Sequence, residues 1–267
     1  MTRKIGIISG SGRFPLIFSE AARREGFEVI AIAHKGETRP ELAETVDKIF
    51  WLKLGQLGKI IDIFKQEGVR DVVMAGGIDK KNIYRKVWPD IKAISVWSRL
   101  KNRLDDGILR ALAGVLEEEG IMVRESTLFL RSLLAPKGVL TRRKPTAEEM
   151  KDVEFGWKVA KEIGGLDIGQ CIVVKDLVVL AVEAIEGTDE TIRRGGQLAN
   201  KGAVVVKVLK PRQDPRFDLP AVGLQTIRTM QEVRASCLAV ESDKVLIFEK
   251  EEMLREADRS KIAVVAL

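Results

Sequence analysis

The sequence predicts an α/β protein: an N-terminal parallel-sheet domain, residues 1–130, followed by a second α/β domain, residues 131–267. Three observations carry this. Apolar runs of strand length alternate with helical segments up to Arg124. Glycine turns sit where strands give way to helices. The chain changes character after about residue 130, where Ala135-Pro136-Lys137-Gly138 and Thr141–Pro145 are turn-rich and basic.

Lys4-Ile5-Gly6-Ile7-Ile8 reads as a buried strand, Ser9-Gly10-Ser11-Gly12 as a turn, Phe14–Glu25 as a helix ended by Gly26, and Phe27–Ala33 as a second strand. A βαβ unit is their natural assembly. A short strand at Ile49–Leu52, a helix at Leu57–Glu67 stopped by Gly68, and a strand at Asp71–Ala75 continue the pattern. Helices near Asp90–Leu100 and Asp106–Glu119 and a strand at Ile121–Arg124 complete it. Such alternation implies a parallel sheet covered on both faces, in a Rossmann-like domain.

In the second domain, Thr146 opens a helix, with Glu149 three residues on to complete a capping box. Cys171–Val174 and Leu177–Ala184 form a hairpin about Lys175-Asp176. Thr188 caps a short helix whose first turn carries Asp189 and Glu190, as the helix dipole prefers. A strand at Ala203–Leu209, a long polar loop at Lys210–Gly223, a helix, two strands, a helix and a terminal strand at Ile262–Val265 follow.

The 267 residues, 45% of them apolar, are enough for a sizeable core. A net charge of +6 favours anionic partners: phosphates, nucleic acid or a membrane surface. With 5% aromatic residues and one Tyr, the chain lacks the stacking platforms of a single-strand binder, so no nucleic-acid partner is expected. Cys171 and Cys237 form no CxxC unit and read as small core residues in a reducing compartment. No apolar run reaches the roughly 18 residues that span a bilayer, and the N-terminus lacks a signal peptide's h-region. The expected location is the cytoplasm, with any membrane contact peripheral.

Gly10-Ser11-Gly12 joins a strand to a helix, where backbone N–H groups and the helix N-terminus favour an anion. It is not a nicotinamide fingerprint: position 15 is Pro15 instead of Gly, and Ala33, His34 and Lys35 stand where the ribose-binding acid belongs. A P-loop is absent too. Gly76-Gly77-Ile78-Asp79 follows a strand in the same way. In open parallel sheets ligands bind beyond the carboxyl ends of strands, so Gly10–Gly12, His34–Glu37 and Gly76–Asp79 converge on one ligand edge.

His34 is the single histidine. A dinuclear metallophosphoesterase centre needs several, and neither HExxH nor a GxSxG elbow is present. Carboxylates are left to do the chemistry. Asp105-Asp106 begins a helix, where adjacent acids also serve as caps. Lys210-Pro211-Arg212-Gln213-Asp214-Pro215-Arg216-Phe217-Asp218-Leu219-Pro220 sets three cations and two acids in a loop stiffened by three prolines. Lys210, Arg212 and Arg216 suit phosphate oxygens; Asp214 and Asp218 suit Mg²⁺ or general-base work.

The chain resembles the LpxI-type UDP-2,3-diacylglucosamine pyrophosphatases of lipid A biosynthesis. The resemblance lies in Gly6–Pro15, His34–Thr38, Ala75–Ile78, Asp105–Arg110, Leu134–Thr141, Glu183–Asp189 and Lys210–Pro220, in order over nearly the whole chain. It implies hydrolysis of UDP-2,3-diacylglucosamine to UMP and 2,3-diacylglucosamine 1-phosphate (lipid X), assisted by Mg²⁺ or another divalent cation. It implies that the N-terminal domain holds the nucleotide, for which the converging loops offer Gly10, Ser11, Gly12, Arg13, Phe14, His34, Gly76, Gly77 and Asp79. It further implies that the C-terminal domain holds the lipid sugar and that an acid of the loop, Asp214 or Asp218, is essential; read from the residues, the same two acids are the candidate metal ligands and Asp105 and Asp106 the second catalytic candidates.

The acyl chains need apolar cover. Phe129, Leu130, Leu133 and Leu134 are the candidates, though such a run is more often core. Peripheral contact with the inner membrane fits a substrate that starts in a bilayer; a homodimer is left open. The rival readings are another sugar-nucleotide enzyme, which would not release UMP with water alone as acceptor, and a non-catalytic nucleotide-binding module, which would show no turnover.

Overall fold

The computed structural model describes residues 2–78, 90, 92–94, 105–214, 216–217 and 219–267, with Asp105 and Asp106 described by their backbone alone. Asp79, Asp218 and most of the helix expected near Asp90–Leu100 lie outside the described residues. The chain divides into two compact units: Met1–Arg131 with Asp214–Asp218, and Ser132–Gln213 with Leu219–Leu267. This changes the expected division, which left the whole proline loop in the second domain. The cause is Phe217, which is buried in the core of the first unit.

The first unit is built on β1 (Arg3–Ser9), β2 (Phe27–His34), β3 (Lys48–Leu52), β4 (Asp71–Ala75) and β5 (Met122–Arg124), with α1 (Phe14–Arg24), α2 (Leu57–Gln66) and α3 (Asp105–Glu118). The strand order is β3-β2-β1-β4-β5, every pair parallel. The central strands are buried on both faces, which is why they read as unbroken apolar runs. Gly6 has a packing reason: a Cβ there would lie 2.7 Å from the Phe64 ring of α2. The order reverses between β1 and β4, the position at which open parallel sheets bind ligands beyond the strands' carboxyl ends.

The second unit carries a six-stranded sheet of order β6-β13-β11-β9-β7-β8. Its strands are β6 (Gly138–Val139), β7 (Cys171–Lys175), β8 (Val178–Val182), β9 (Val204–Lys207), β11 (Cys237–Val240) and β13 (Ala263–Ala266). Strands β9, β11 and β13 are parallel; β7 runs antiparallel to both β9 and β8. A separate parallel pair joins β10 (Ala221–Val222) to β12 (Leu246–Ile247). Alternate residues of each strand face two cores. Ile172, Val174, Val204 and Val206 meet α4 (Ala147–Gly165). Val173, Val205 and Leu238 meet Ile192 of α5 (Thr188–Ala199), Met230 of α6 (Leu224–Glu232) and Met253 of α7 (Lys250–Arg259).

The Thr146–Glu149 capping box forms: Glu149 N donates to Thr146 Oγ1 at 3.2 Å and Thr146 N to Glu149 Oε2 at 2.8 Å. Two local expectations shift by one residue. The hairpin turn is Asp176-Leu177, both at positive φ, with both amides donating to Asp152. Gly187, at φ 85°, caps α5 in place of Thr188, whose hydroxyl is bonded to Glu183 instead.

Candidate functional site

The two glycine turns of the first unit meet across the β1/β4 switch point. Gly10 N donates to Ala75 O at 2.8 Å, and Ser11 donates to Gly77 O through its amide at 2.6 Å and its hydroxyl at 2.9 Å. The contact leaves no room for side chains: a Cβ on Gly10 would lie 2.2 Å from Gly77 O, and one on Gly76 2.3 Å from Ser11 O. The absence of side chains at Gly10 and Gly76 therefore lets one loop zip to the other. Gly12 differs. It has φ 85° and nothing within 4 Å of a Cβ, so it faces open space just ahead of Arg13 and Phe14 at the start of α1.

His34 ends β2 at the same edge and is buried. Its Nδ1 lies 2.9 Å from Ser9 O, which also accepts from the Thr38 hydroxyl at 2.8 Å. A ring nitrogen facing a carbonyl carries the proton. Burial lowers the imidazole pKa, so the ring is held neutral. It locks the β1 and β2 ends together, its ring bonded to a main-chain carbonyl.

The loop acid Asp214 is 6% exposed. Arg216 donates to it from Nε at 3.1 Å, from Nη2 at 2.8 Å and from its own amide at 3.1 Å. Arg110 of α3 lies 3.5 Å away. These bonds, those of Arg216 foremost, hold the Asp214 carboxyl below the usual carboxylate range. Arg216 also donates to Glu117 Oε1 at 2.7 Å. Arg110 and Glu117 are seven residues apart on α3, two turns along one face. The helix that begins at Asp105-Asp106 is thus bound to the loop carrying Asp214. Sequence reasoning missed Arg110 and Glu117 as site residues; their signal was the seven-residue spacing behind the paired acids.

The remaining candidates are spread out. Lys210 is in the second unit and pairs with Asp167 at 2.7 Å; Arg212 is exposed. Phe129 packs in tilted contact with Phe18 and Phe27, centroids 5.4 and 4.9 Å away, Leu130 is buried, and Leu134 pairs through its backbone with Leu246. Phe129 and Leu130 thus both contribute to packing within the first unit. The exposed apolar side chains include Leu166, Ile168 and Ile185 of the second unit. Gly169 brings their loops together, since a Cβ there would lie 2.0 Å from Glu183 O.

Among the described residues there is no group of three His, Cys, Asp or Glu side chains placed to hold a metal ion. Asp214 is the one loop carboxylate whose surroundings are described, and its oxygens are engaged by arginine. Both cysteines are buried, and burial pushes the Cys237 thiol up to about 12 and Cys171 higher still, so neither is a nucleophile. No helix of the described residues is long and apolar enough to cross a membrane.

Fold and site together define a class: a two-unit α/β protein with a doubly wound parallel sheet, glycine turns meeting at the carboxyl ends of its central strands, and a carboxylate–arginine loop. The family models of the LpxI N-terminal domain and the LpxI C-terminal domain match residues 4–133 and 136–265. The UDP-2,3-diacylglucosamine pyrophosphatase LpxI of Caulobacter vibrioides is 31% identical over 96% of this chain and 94% of its own. This chain belongs to the LpxI family. Solved structures match only loosely. The biotin carboxylase domain of Hydrogenobacter thermophilus 2-oxoglutarate carboxylase is 14% identical with a TM-score of 0.30, covering 74% of this chain and 42% of that one. At that score the likeness carries no argument.

Proposed function

We propose that this protein hydrolyses the pyrophosphate of UDP-2,3-diacylglucosamine to UMP and 2,3-diacylglucosamine 1-phosphate in lipid A biosynthesis. The observation that carries the reading is the end-to-end relationship to a protein named for that activity. Water adds to one phosphorus, one P–O anhydride bond breaks, and two phosphomonoesters leave.

The residues suit that chemistry. A pyrophosphate repels a nucleophile through its charged oxygens, and cations relieve the repulsion. The proline loop supplies Lys210, Arg212 and Arg216. Asp214, kept ionised by its arginines, is a weak base but a good fixed charge or metal ligand. Mg²⁺ would be held by substrate phosphates with one or two carboxylates, Asp214 or Asp218, and would neutralise charge on the anhydride. Arg216 competes for the same Asp214 oxygens. The open backbone at Gly12 supports nucleotide binding at the first unit's switch point.

Leu166, Ile168 and Ile185 support acyl-chain contact on the second unit. Arg131, Lys137, Arg142 and Lys144 support peripheral association with the anionic cytoplasmic face of the inner membrane. The test is direct: purified protein, UDP-2,3-diacylglucosamine, and detection of UMP and the lipid monophosphate. Absence of both products overturns the reading.

A further inference from the structure

The carboxyl ends of β8, β9 and β11 and the start of β7 lie at one edge of the second unit's sheet. From that edge the proline loop departs after Leu209 and returns at Ala221. Each stem ends on a lysine. Lys161 Nζ donates to Leu209 O at 2.8 Å and to Glu241 Oε2 at 2.6 Å, and Glu241 Oε2 also accepts from Leu209 N at 2.8 Å. Lys207 Nζ donates to Ala221 O at 2.8 Å and to Thr188 Oγ1 at 2.9 Å. Thr188 in turn donates to Glu183 Oε1 at 2.6 Å, and Glu183 Oε2 accepts from Gln170 N at 3.1 Å. Val208 N closes the ring on Gln170 O at 3.0 Å.

Lys207 is 6% exposed and Glu183 8%. Burying an ammonium and a carboxylate is costly, and apolar residues of similar size often stabilise a fold at least as well. The charges here serve direction instead. A lysine on a main-chain carbonyl fixes that peptide's position and orientation, which an apolar contact cannot do. Pro211, Pro215 and Pro220 leave the loop few conformations, so fixing its stems restricts what lies between them.

We propose that Lys207 and Lys161 are positioning residues for the reaction, clamping the two stems of the loop that carries Asp214 and Asp218, with Thr188 and Glu183 as the second support of the Lys207 clamp. This rests on the reading that an acid of the loop is essential. The clamps act on the geometry of bound substrate, and they leave the affinity for it largely alone.

The experiment measures kcat, KM and melting temperature of the full chain with UDP-2,3-diacylglucosamine for Lys207→Met, Lys161→Met, Thr188→Val and Thr188→Ser. Asp214→Asn and Asp218→Asn run beside them. Lys207→Met, Lys161→Met and Thr188→Val are expected to lose about tenfold or more in kcat with KM within about threefold of wild type. Thr188→Ser keeps the hydroxyl and is expected to restore kcat. Equal losses in Thr188→Ser and Thr188→Val overturn the proposal, because the hydroxyl then plays no part. Full activity in both lysine variants beside a dead loop-acid variant overturns the clamp alone. Full activity in both Asp variants overturns the underlying reading of the loop.

Discussion

Arg216 and Glu117, 2.7 Å apart, join the proline loop to helix α3, and the same guanidinium grips Asp214. One arginine therefore ties the loop acid to the helix that starts at Asp105. Removing it by Arg216→Ala takes away the side-chain donors that grip Asp214 most closely, with Arg110 still 3.5 Å away. We expect loss of about 10- to 100-fold in activity, the worth of one or two charge-assisted bonds. Glu117→Gln should cost less, because Arg216 keeps Asp214. Steady-state rates of the two variants check the ranking.

The Asp214 pairing also sets a pH dependence. Its folded pKa lies below the unfolded value, so its contribution to stability is present above about pH 3.9 and is lost as pH falls through the folded value. Melting temperature measured from pH 7 down to pH 3 should show an acid-side loss that Arg216→Ala shifts to higher pH and that Asp214→Asn diminishes. A pH profile unchanged in both variants would show that the pair does not hold the carboxylate.

The glycines separate by the space around them. Gly10→Ala and Gly76→Ala place a Cβ within 2.3 Å of backbone oxygen and should destabilise the first unit by about 1–3 kcal/mol or more. Gly12→Ala meets no atom and costs about 1 kcal/mol through its positive φ. Gly12→Val should keep the fold yet weaken UMP binding. Thermal melts and calorimetric UMP titration together distinguish loop packing from ligand approach; unchanged UMP affinity in a folded Gly12→Val protein rules out binding at this turn.

Much of this was legible in the sequence because backbone rules are local. The strand–glycine–helix order and the apolar runs predict the parallel sheet, and the Thr146–Glu149 spacing predicts its capping box. What the sequence does not reveal is tertiary. Gly10 and Gly76 look alike as turns open to a ligand, and sequence has no signal that each also closes against the other's loop. Thr188 looks like a cap, but Glu183 and Lys207 claim its hydroxyl. Phe217, one apolar residue among charges and prolines, gives no periodic signal that its segment belongs to the first unit's core. Phe129 and Leu130 were apolar without saying whether their partner was lipid or Phe18.

The exposed apolar side chains predict a chain-length effect. Leu166→Ser with Ile185→Ser should raise KM for the long-chain diacyl substrate several-fold, each buried CH₂ being worth about 0.8 kcal/mol. A short-chain analogue should be turned over as by wild type. Equal effects on both substrates would exclude acyl contact at these residues.

The most direct test is UMP release from UDP-2,3-diacylglucosamine by wild type, Asp214→Asn and Asp218→Asn, each with and without chelator. Wild type should release UMP and lipid X in equal amounts and lose activity in chelator. At least one Asp variant should fall by roughly 10²-fold or more while still binding substrate. Near-normal rates in both variants, or chelator-resistant wild-type turnover, would contradict carboxylate- and Mg²⁺-assisted hydrolysis.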